Sequence, residues 1–112
     1  MGKLLDYAEH EFNLAKSDQS GISVKDHLKQ VYKSTGIIPE DLKGKELPKS
    51  VEYLWSSFLS ISTGRQMGYS GPLPITFSEI FAWTKLTGNK LLPIELEVIK
   101  RLDNLYVRTM NG

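Results

Sequence analysis

The stretch 65–83 constrains the fold of this chain more than any other part of the sequence. Its first half contains two glycines and two prolines within seven positions, namely Gly68, Gly71, Pro72 and Pro74. Glycine favours dihedral angles that regular elements do not use, and proline removes a backbone donor. This half is therefore predicted to be neither a helix nor an inner strand, but an ordered loop.

The second half of the stretch carries the signals of a helix start. Thr76 is a good N-cap residue, and Glu79 can reach back to the N-cap amide, so these two residues predict a capping box. Ile75 and Ile80 occupy the two positions of a hydrophobic staple, which fixes the angle at which the loop enters the helix. We therefore expect the Gly/Pro loop to be clamped onto a helix, as in a recognition loop that a helical scaffold presents.

Hydrophobic periodicity in the rest of the chain is helical. Helices are predicted at residues 3–15, 24–35, 48–62, 77–87 and from residue 93 onward, with one further turn at 39–42. No segment alternates convincingly with period two. The predicted fold class is all-α, a small irregular bundle of about five helices with an ordered Gly/Pro-rich loop before the fourth. A chain of 112 residues suits one core, so 1–112 is predicted to be a single helical domain.

Turn signals separate the predicted helices. Residues 16–21 form a polar run that is expected to be the first loop. A Thr-Gly pair then stands where a helical pattern ends, at 35–36, 63–64 and 87–88. Glycine readily adopts the left-handed conformation that often follows a helix, so we expect that conformation at all three glycines.

Two of the predicted helices carry apolar faces that are expected to form much of the core. On the third helix, Trp55 and Phe58 should bury roughly 150–250 Å² each, which makes it the main core helix. Its full stripe is Val51, Leu54, Trp55, Phe58, Leu59 and Ser62. The inner face predicted for the second helix is Val24, Leu28, Val31 and Tyr32.

Charge and cysteine content argue against several classes of function. The formal net charge is +1, so the chain lacks the long-range field of a general nucleic-acid or membrane-surface binder. The absence of cysteine excludes disulfides, thiolate metal sites and a cysteine nucleophile, and it fits a reducing cytoplasm. No apolar run approaches membrane-spanning length, so the protein is expected to be soluble and cytoplasmic.

Candidate catalytic and metal-binding residues are few. Ser70 lies in the run 68–71, but the nucleophile elbow of hydrolases needs G-x-S-x-G between a strand and a helix, so a turn serine is the favoured interpretation. His10 and His27 lie on different predicted helices, without metal-ligand spacing. Glu79 could act as a base, but the capping box already explains it. No catalytic residue, metal or cofactor is predicted.

The charged residues Asp103 and Arg65 allow two interpretations. Asp103 lies at the edge of an apolar helix face and Arg65 leads into the loop, so the two could form an ion pair that orders the loop or could both be solvated.

The last two helices follow the order of a helix-turn-helix, but their connector exceeds the usual turn of about 3–4 residues. The exposed bases form a modest patch and no stripe, which disfavours DNA binding: Lys85, Lys90, Lys100 and Arg101.

The loop itself allows two interpretations. Tyr69 and Leu73 cannot both be buried in so short a non-helical run, so at least one should project outward as an apolar anchor for a partner. Alternatively, the loop packs over Trp55 and Trp83 and merely closes the core.

A set of short motifs extends over most of the chain. The motifs are Glu11-Phe12-Asn13-Leu14, Lys16-Ser17-Asp18, Asp26-His27-Leu28, Thr35-Gly36, Trp55-x-x-Phe58, Ser62-x-Gly64-Arg65, Gly71-Pro72-x-Pro74-Ile75, Glu79-Ile80-x-Ala82-Trp83, Leu86-Thr87-Gly88, Pro93-x-Glu95, Ile99 and Asp103-x-x-Tyr106. Together they resemble the small tail assembly chaperones of long-tailed bacteriophages and prophages.

This resemblance implies a binding protein, not an enzyme. It implies transient binding of the phage tail tape measure protein, and of the tube protein as a second candidate, in the host bacterial cytoplasm; nucleic acid and membrane are not implied. The implied partner-binding residues are Gly71, Pro72, Leu73, Pro74, Phe77, Phe81 and Trp83, to which the short length of the loop adds Tyr69. Those expected to be structural are Trp55, Phe58, Arg65, Thr76, Glu79 and Asp103. A structural component retained in the virion is the alternative function.

Overall fold

A computed structural model describes residues 2–17 and 21–111 of the chain. In these ranges it contains five α-helices: α1 Gly2–Ala15, α2 Val24–Thr35, α3 Glu52–Ser62, α4 Phe77–Thr87 and α5 Pro93–Asn111. Two 3-10 turns, Glu40–Lys43 and Lys49–Val51, lie between α2 and α3. The β structure in these ranges is one short antiparallel pair, β1 Met67–Gly68 and β2 Gly71–Pro72, and an isolated bridge between Ser17 and Ser23. The predicted all-α fold class is confirmed.

The ends of α2 and α4 follow from local sequence. Ser23 Oγ accepts a hydrogen bond from the Asp26 amide at 3.1 Å, and this caps the start of α2. Gly36 and Gly88 follow α2 and α4 with φ of 74° and 73°, which is the left-handed conformation expected of them. The predicted first loop at residues 16–21 includes residues 18–20, which lie outside the described residues.

The prediction for Gly64 is wrong, because this glycine does not adopt a positive φ. The chain leaves α3 through tight i→i+3 bonds instead: the amide of Gly64 donates to Ile61 O at 3.2 Å, and that of Arg65 to Ser62 O at 3.0 Å. These bonds satisfy the last carbonyls of the helix, so no left-handed residue is needed. The chain then reaches the loop with Arg65 directed inward.

The hydrophobic core lies mainly between α1, α3 and α5. Both α1 and α3 contact α5, and α1 does so more extensively. Phe12, Trp55, Phe58 and Tyr106 form a cluster of aromatic rings with centroids 5.1–6.5 Å apart. The buried hydrophobic core residues are Leu4, Ala8, Phe12, Leu54, Phe58, Ile61, Ile75, Ile80, Val98, Ile99 and Leu102.

The stripe predicted for α3 needs one correction. Leu54, Phe58 and Ile61 are its buried residues, whereas Leu59 is 48% exposed. The buried positions are spaced by four and then three residues, which is the regular helical repeat. Leu59 follows Phe58 directly and therefore points about a quarter-turn away from the core. Trp55 is half-buried at the edge of the aromatic cluster.

The inner face predicted for α2 is not buried. Val24, Val31 and Tyr32 are 41–48% exposed and Leu28 is half-buried; α2 contains no buried residue. α2 contacts α1 and the Glu40–Lys43 turn. The prediction failed because α1, α3, α4 and α5 already enclose the core. Amphipathic spacing shows that a helix forms, but not that another element covers its apolar face.

Candidate partner-binding surface

The Gly/Pro segment 65–75 is a β-hairpin, which we call the hairpin. Met67 pairs with Pro72 and Gly68 with Gly71. The Leu73 amide extends the pairing by donating to Gln66 O at 3.0 Å. Tyr69 and Ser70 therefore lie between the two strands. The sequence predicted an ordered loop here, and the pairing explains how so short a segment is ordered.

A buried ion pair anchors the base of the hairpin. Arg65 Nη1 lies 2.6 Å from Asp103 Oδ1, and the two side chains are 5% and 0% exposed. The same Nη1 donates to Leu73 O at 2.9 Å, and the Ile75 amide donates to Asp103 Oδ2 at 2.9 Å. The guanidinium also lies 4.4 Å from the Tyr106 ring centroid. Of the two arrangements left open by the sequence, the structure contains the ion pair.

Each residue of this ion pair needs the other to balance its buried charge. Asp103 Oδ1 has no aligned hydrogen bond, so its close contact with Arg65 supplies the compensating charge. A buried carboxylate without such a partner is strongly unfavourable. Each residue of the pair also bonds to the hairpin backbone, so the pair positions the chain between α3 and α4.

α5 supports the hairpin at two further points. Lys100 Nζ donates to Ile75 O at 2.7 Å, and Asn111 Nδ2 donates to Pro72 O at 3.3 Å. Gly71 has φ of 135°, and a Cβ at this position would collide with the Asn111 side chain. The positive φ favours glycine at this position, and a larger residue would also displace the Asn111 side chain that bonds to Pro72 O.

The hairpin leads directly into the capped start of α4. The Glu79 amide donates to Thr76 Oγ1 at 3.1 Å, and the Thr76 amide donates to Glu79 Oε1 at 3.0 Å, which completes the capping box. Ile75 and Ile80 are both buried beside it, at the two staple positions. Trp83 is half-buried, and its Nε1 donates to Ser60 Oγ on α3 at 2.8 Å. The start and the middle of α4 are thus both fixed.

The structure divides the implied partner-binding residues into two groups. Tyr69 is fully exposed at the hairpin tip, and Leu73 is 43% exposed. Phe77 and Phe81 stand one turn apart on α4 and are 63% and 62% exposed, and Pro74 is also exposed. These five side chains are accessible to a partner.

The other implied partner-binding residues are less exposed and contact other parts of the fold. Pro72 is buried and accepts the bond from Asn111, and Gly71 is half-buried next to it. Trp83 directs its indole N–H toward α3. The sequence could not separate these residues from the exposed ones, because side-chain burial depends on α3 and α5, which contact the hairpin and α4 from distant parts of the chain.

An open groove of about 700 Å³ runs beside α4, and we call it the α4 groove. It lies between α4, the 88–92 connector and the start of α5. Its lining residues are Phe77, Ile80, Phe81, Thr84, Lys85, Gly88, Asn89, Lys90, Leu91 and Leu96. Sequence reasoning missed Leu91 and Leu96; their contribution could have been suspected only from the apolar spacing around the last helix start.

The start of α5 is held by a second cap. The Leu92 amide donates to Glu95 Oε1 at 2.8 Å, and this bond, followed by one from the Tyr53 hydroxyl, lowers the pKa of Glu95. The hydrogen bond to Glu95 raises the pKa of Tyr53 in turn. This arrangement ties the end of the groove to α3.

Ser70, His10 and the acidic side chains of the described residues do not come together in a catalytic or metal site. Ser70 lies in the turn of the hairpin, which is not the strand-to-helix turn of a nucleophile elbow. His10 Nε2 lies 2.7 Å from Asp41 O, in a contact with the first 3-10 turn. Residues 2–17 and 21–111 contain no group of three or more His, Cys, Asp or Glu side chains that could hold a metal ion. None of the helices in those ranges combines the length and apolar content needed to cross a membrane.

A family model decides what kind of protein carries this surface. Residues 31–108, more than half of the chain, match the model described as phage tail assembly chaperone. The chain belongs to this family. The match includes the hairpin, α4 and the α4 groove, whereas α1 lies outside it. No curated protein and no solved structure matches the chain.

Family membership confirms the resemblance on which the general role rests. A tail assembly chaperone acts on other tail proteins and is a non-catalytic kind of protein. The matched residues contain both the Arg65–Asp103 pair and the exposed Phe77 and Phe81.

Proposed function

We propose that this protein binds the phage tail tape measure protein through the hairpin and the exposed face of α4 during tail assembly. The tube protein is the second candidate partner. Binding takes place in the cytoplasm of the host bacterium and ends before the virion is complete. The surface residues that make contact are Tyr69, Leu73, Pro74, Phe77 and Phe81.

The observation that carries this proposal is an exposed apolar surface on a rigidly held backbone. Tyr69 and Leu73 project from a hairpin whose base is fixed by the buried Arg65–Asp103 pair. A preorganised loop loses little conformational entropy on binding, so more of the contact energy appears as affinity. Tyrosine is also among the residues that most often dominate interface energies.

A co-expression capture experiment tests the proposal. The affinity-tagged chain is expressed with the neighbouring tail gene products, and captured proteins are identified by mass spectrometry. The wild-type chain should retain the tape measure or tube protein. Tyr69→Ala with Leu73→Ser should reduce capture sharply, because a central interface tyrosine contributes roughly 2 kcal/mol or more, or about 30-fold in affinity.

The matched control removes similar apolar side chains from a different surface. Tyr32 and Ile38 are 44% and 47% exposed, so Tyr32→Ala with Ile38→Ser makes the same types of substitution at exposed positions on and just after α2. This control should capture partners normally. The Tyr69/Leu73 variant should also melt within a few degrees of wild type, since exposed substitutions usually change stability by about 0.5 kcal/mol or less.

Three results would contradict the proposal. Undiminished capture by the Tyr69/Leu73 variant would remove the hairpin from the interface. A large fall in its melting temperature would assign these side chains to the core. Detection of the chain in purified phage particles by mass spectrometry would indicate a structural tail component instead of a chaperone.

A further inference from the structure

The charged side chains that line the α4 groove are all positive. Its lining includes Lys85 and Lys90 but no carboxylate. Lys85 Nζ lies 5.3 Å from the ring centroid of Phe81, and Lys100 Nζ lies 4.8 Å from that of Phe77. The two exposed rings of the groove are therefore each accompanied by an ammonium group. This placement sets an apolar surface within a positively charged border.

Carboxylates close to the groove in sequence already have partners. Glu79 is held in the capping box of α4, and Glu95 accepts the Leu92 amide. Glu97 forms an ion pair with Arg101 at 3.1 Å on α5. Neither Lys85 nor Lys90 forms an ion pair within the described part of the chain. The positive border is thus available to a partner's negative charge.

The shape of the groove suits a helix. α4 has 11 residues, so its length is about 16 Å. Of its apolar lining residues, Ile80 is buried and Leu91 and Leu96 are partly buried, while Phe77 and Phe81 are exposed. Amphipathic helices commonly bind such grooves through apolar residues at positions i, i+3, i+4 and i+7. A small polar ligand would need several converging polar groups, and this groove offers mainly Thr84, Asn89 and the lysines.

We propose that the α4 groove binds an acidic amphipathic helix of the partner tail protein. The partner's apolar face contacts the apolar lining of the groove, including the two phenylalanine rings, and its Asp and Glu side chains approach Lys85 and Lys90. This inference rests on the proposed function for the identity of the partner. Its chemistry, an apolar stripe bordered by carboxylates, rests on the groove alone.

Two synthetic peptides test the groove without knowledge of the partner. The first is an amphipathic peptide of about 15 residues, long enough to form a helix when bound, with leucine on one face and glutamate elsewhere. The second replaces every glutamate with lysine. Binding of each to the full chain is measured by NMR. The glutamate peptide should bind about tenfold more tightly and should shift the resonances of Phe77, Phe81, Leu91 and Leu96.

A pair of charge-reversal variants, one in the groove and one on α2, tests the role of the groove lysines. Lys85→Glu with Lys90→Glu should weaken the glutamate peptide about tenfold, because each exposed pair contributes little alone but reversal replaces attraction with repulsion. Lys25→Glu with Lys29→Glu makes the same change in net charge on α2 and should leave binding unchanged. Raising the salt concentration should reduce the difference between the two peptides.

Three outcomes would overturn the inference. They are equal affinity for the two peptides, resonance shifts confined to other surfaces, and self-association of the chain that Phe81→Asp abolishes. The last would assign the groove to a second copy. The capture experiment separates the two proposals: loss of capture by hairpin variants, together with equal peptide affinities, would refute the groove inference and leave the proposed function intact. If no tail protein is captured but the groove binds the glutamate peptide selectively, the proposed function would be refuted and the groove inference would stand.

Discussion

α2 and the hairpin show that regular local structure and integration into the fold are separate properties. α2 is a capped helix of 12 residues with an amphipathic sequence, yet it contains no buried residue. The hairpin is short and irregular, yet its base contains a buried ion pair, and its end contains Ile75 at 1% exposure. α5 contacts the hairpin directly through Asp103, Lys100 and Asn111.

The difference follows from where each segment's polar groups find partners. α2 satisfies its backbone internally and therefore needs little from the rest of the chain. The hairpin has too few internal backbone bonds to satisfy its polar groups, so the side chains of Arg65 and of three α5 residues, Lys100, Asp103 and Asn111, supply further bonds. A segment of this kind is tied to the global fold, and its exposed residues are presented in a fixed position.

Removal of the buried carboxylate should have the largest effect on stability. Asp103→Ala leaves Arg65 charged and buried, so we expect a loss of about 3–5 kcal/mol in the free energy of unfolding. Asp26→Ala on α2 removes an exposed carboxylate near a helix N-terminus and should cost only about 0.3–1 kcal/mol. Chemical denaturation measures both. Similar losses would contradict the distinction between the two regions.

The same pair allows a double-mutant cycle. Arg65→Ala and Asp103→Ala should each destabilise, and the double variant should cost less than the sum, because the second removal no longer leaves a charge uncompensated. If Asp103→Ala does not fold, Asp103→Asn keeps the shape of the side chain and replaces it in the cycle. Strictly additive losses would mean that the two residues do not interact in solution.

Truncation of apolar residues should give the next largest contrast. Ile75→Ala at the end of the hairpin should cost about 2–5 kcal/mol, as expected for a buried isoleucine. Val31→Ala on α2 should change stability by about 0.5 kcal/mol or less, since this residue is 48% exposed. Thermal and denaturant unfolding provide the comparison. A comparable loss for Val31 would show that something covers α2 in solution.

Removal of the helix N-caps should give the smallest difference in stability between the two regions. Thr76→Ala should lower the global free energy of unfolding by about 0.5–2 kcal/mol, because α4 is integrated into the core. Ser23→Ala removes an equivalent cap from α2, but we expect faster hydrogen exchange confined to α2 amides, since a helix without buried residues can open locally. Loss of partner capture by Thr76→Ala at unchanged stability would identify Thr76 as a contact.

The sequence predicted more of the local structure than of the packing. Thr76 and Glu79 form a capping box because every atom involved lies within four residues, and Gly36 and Gly88 end helices for the same local reason. Gly64 departs because the following Arg65 is drawn inward by Asp103, which is 38 positions away in the chain. Local signals cannot contain that constraint.

The same limit applies to the candidate surface. The length of the segment predicted only that at least one of Tyr69 and Leu73 projects outward, whereas both are exposed, and the burial of Pro72 depends on the end of α5. Leu91 and Leu96 join Phe77 and Phe81 in one groove only because the connector returns the chain alongside α4. The fold shows that residues distant in the sequence share one surface, whereas residue spacing does not.

The most direct test of the central claim is a side-chain footprint of the complex. Hydroxyl radicals oxidise exposed aromatic and aliphatic side chains, and mass spectrometry locates the modifications on the chain alone and on the chain bound to its captured tail protein. We predict strong protection of Tyr69, Leu73, Phe77 and Phe81 in the complex. Val31 and Tyr32 on α2 should react equally in both samples. Protection of α2 with an unchanged hairpin and α4 would contradict the proposal that the anchored half of the molecule recognises the partner.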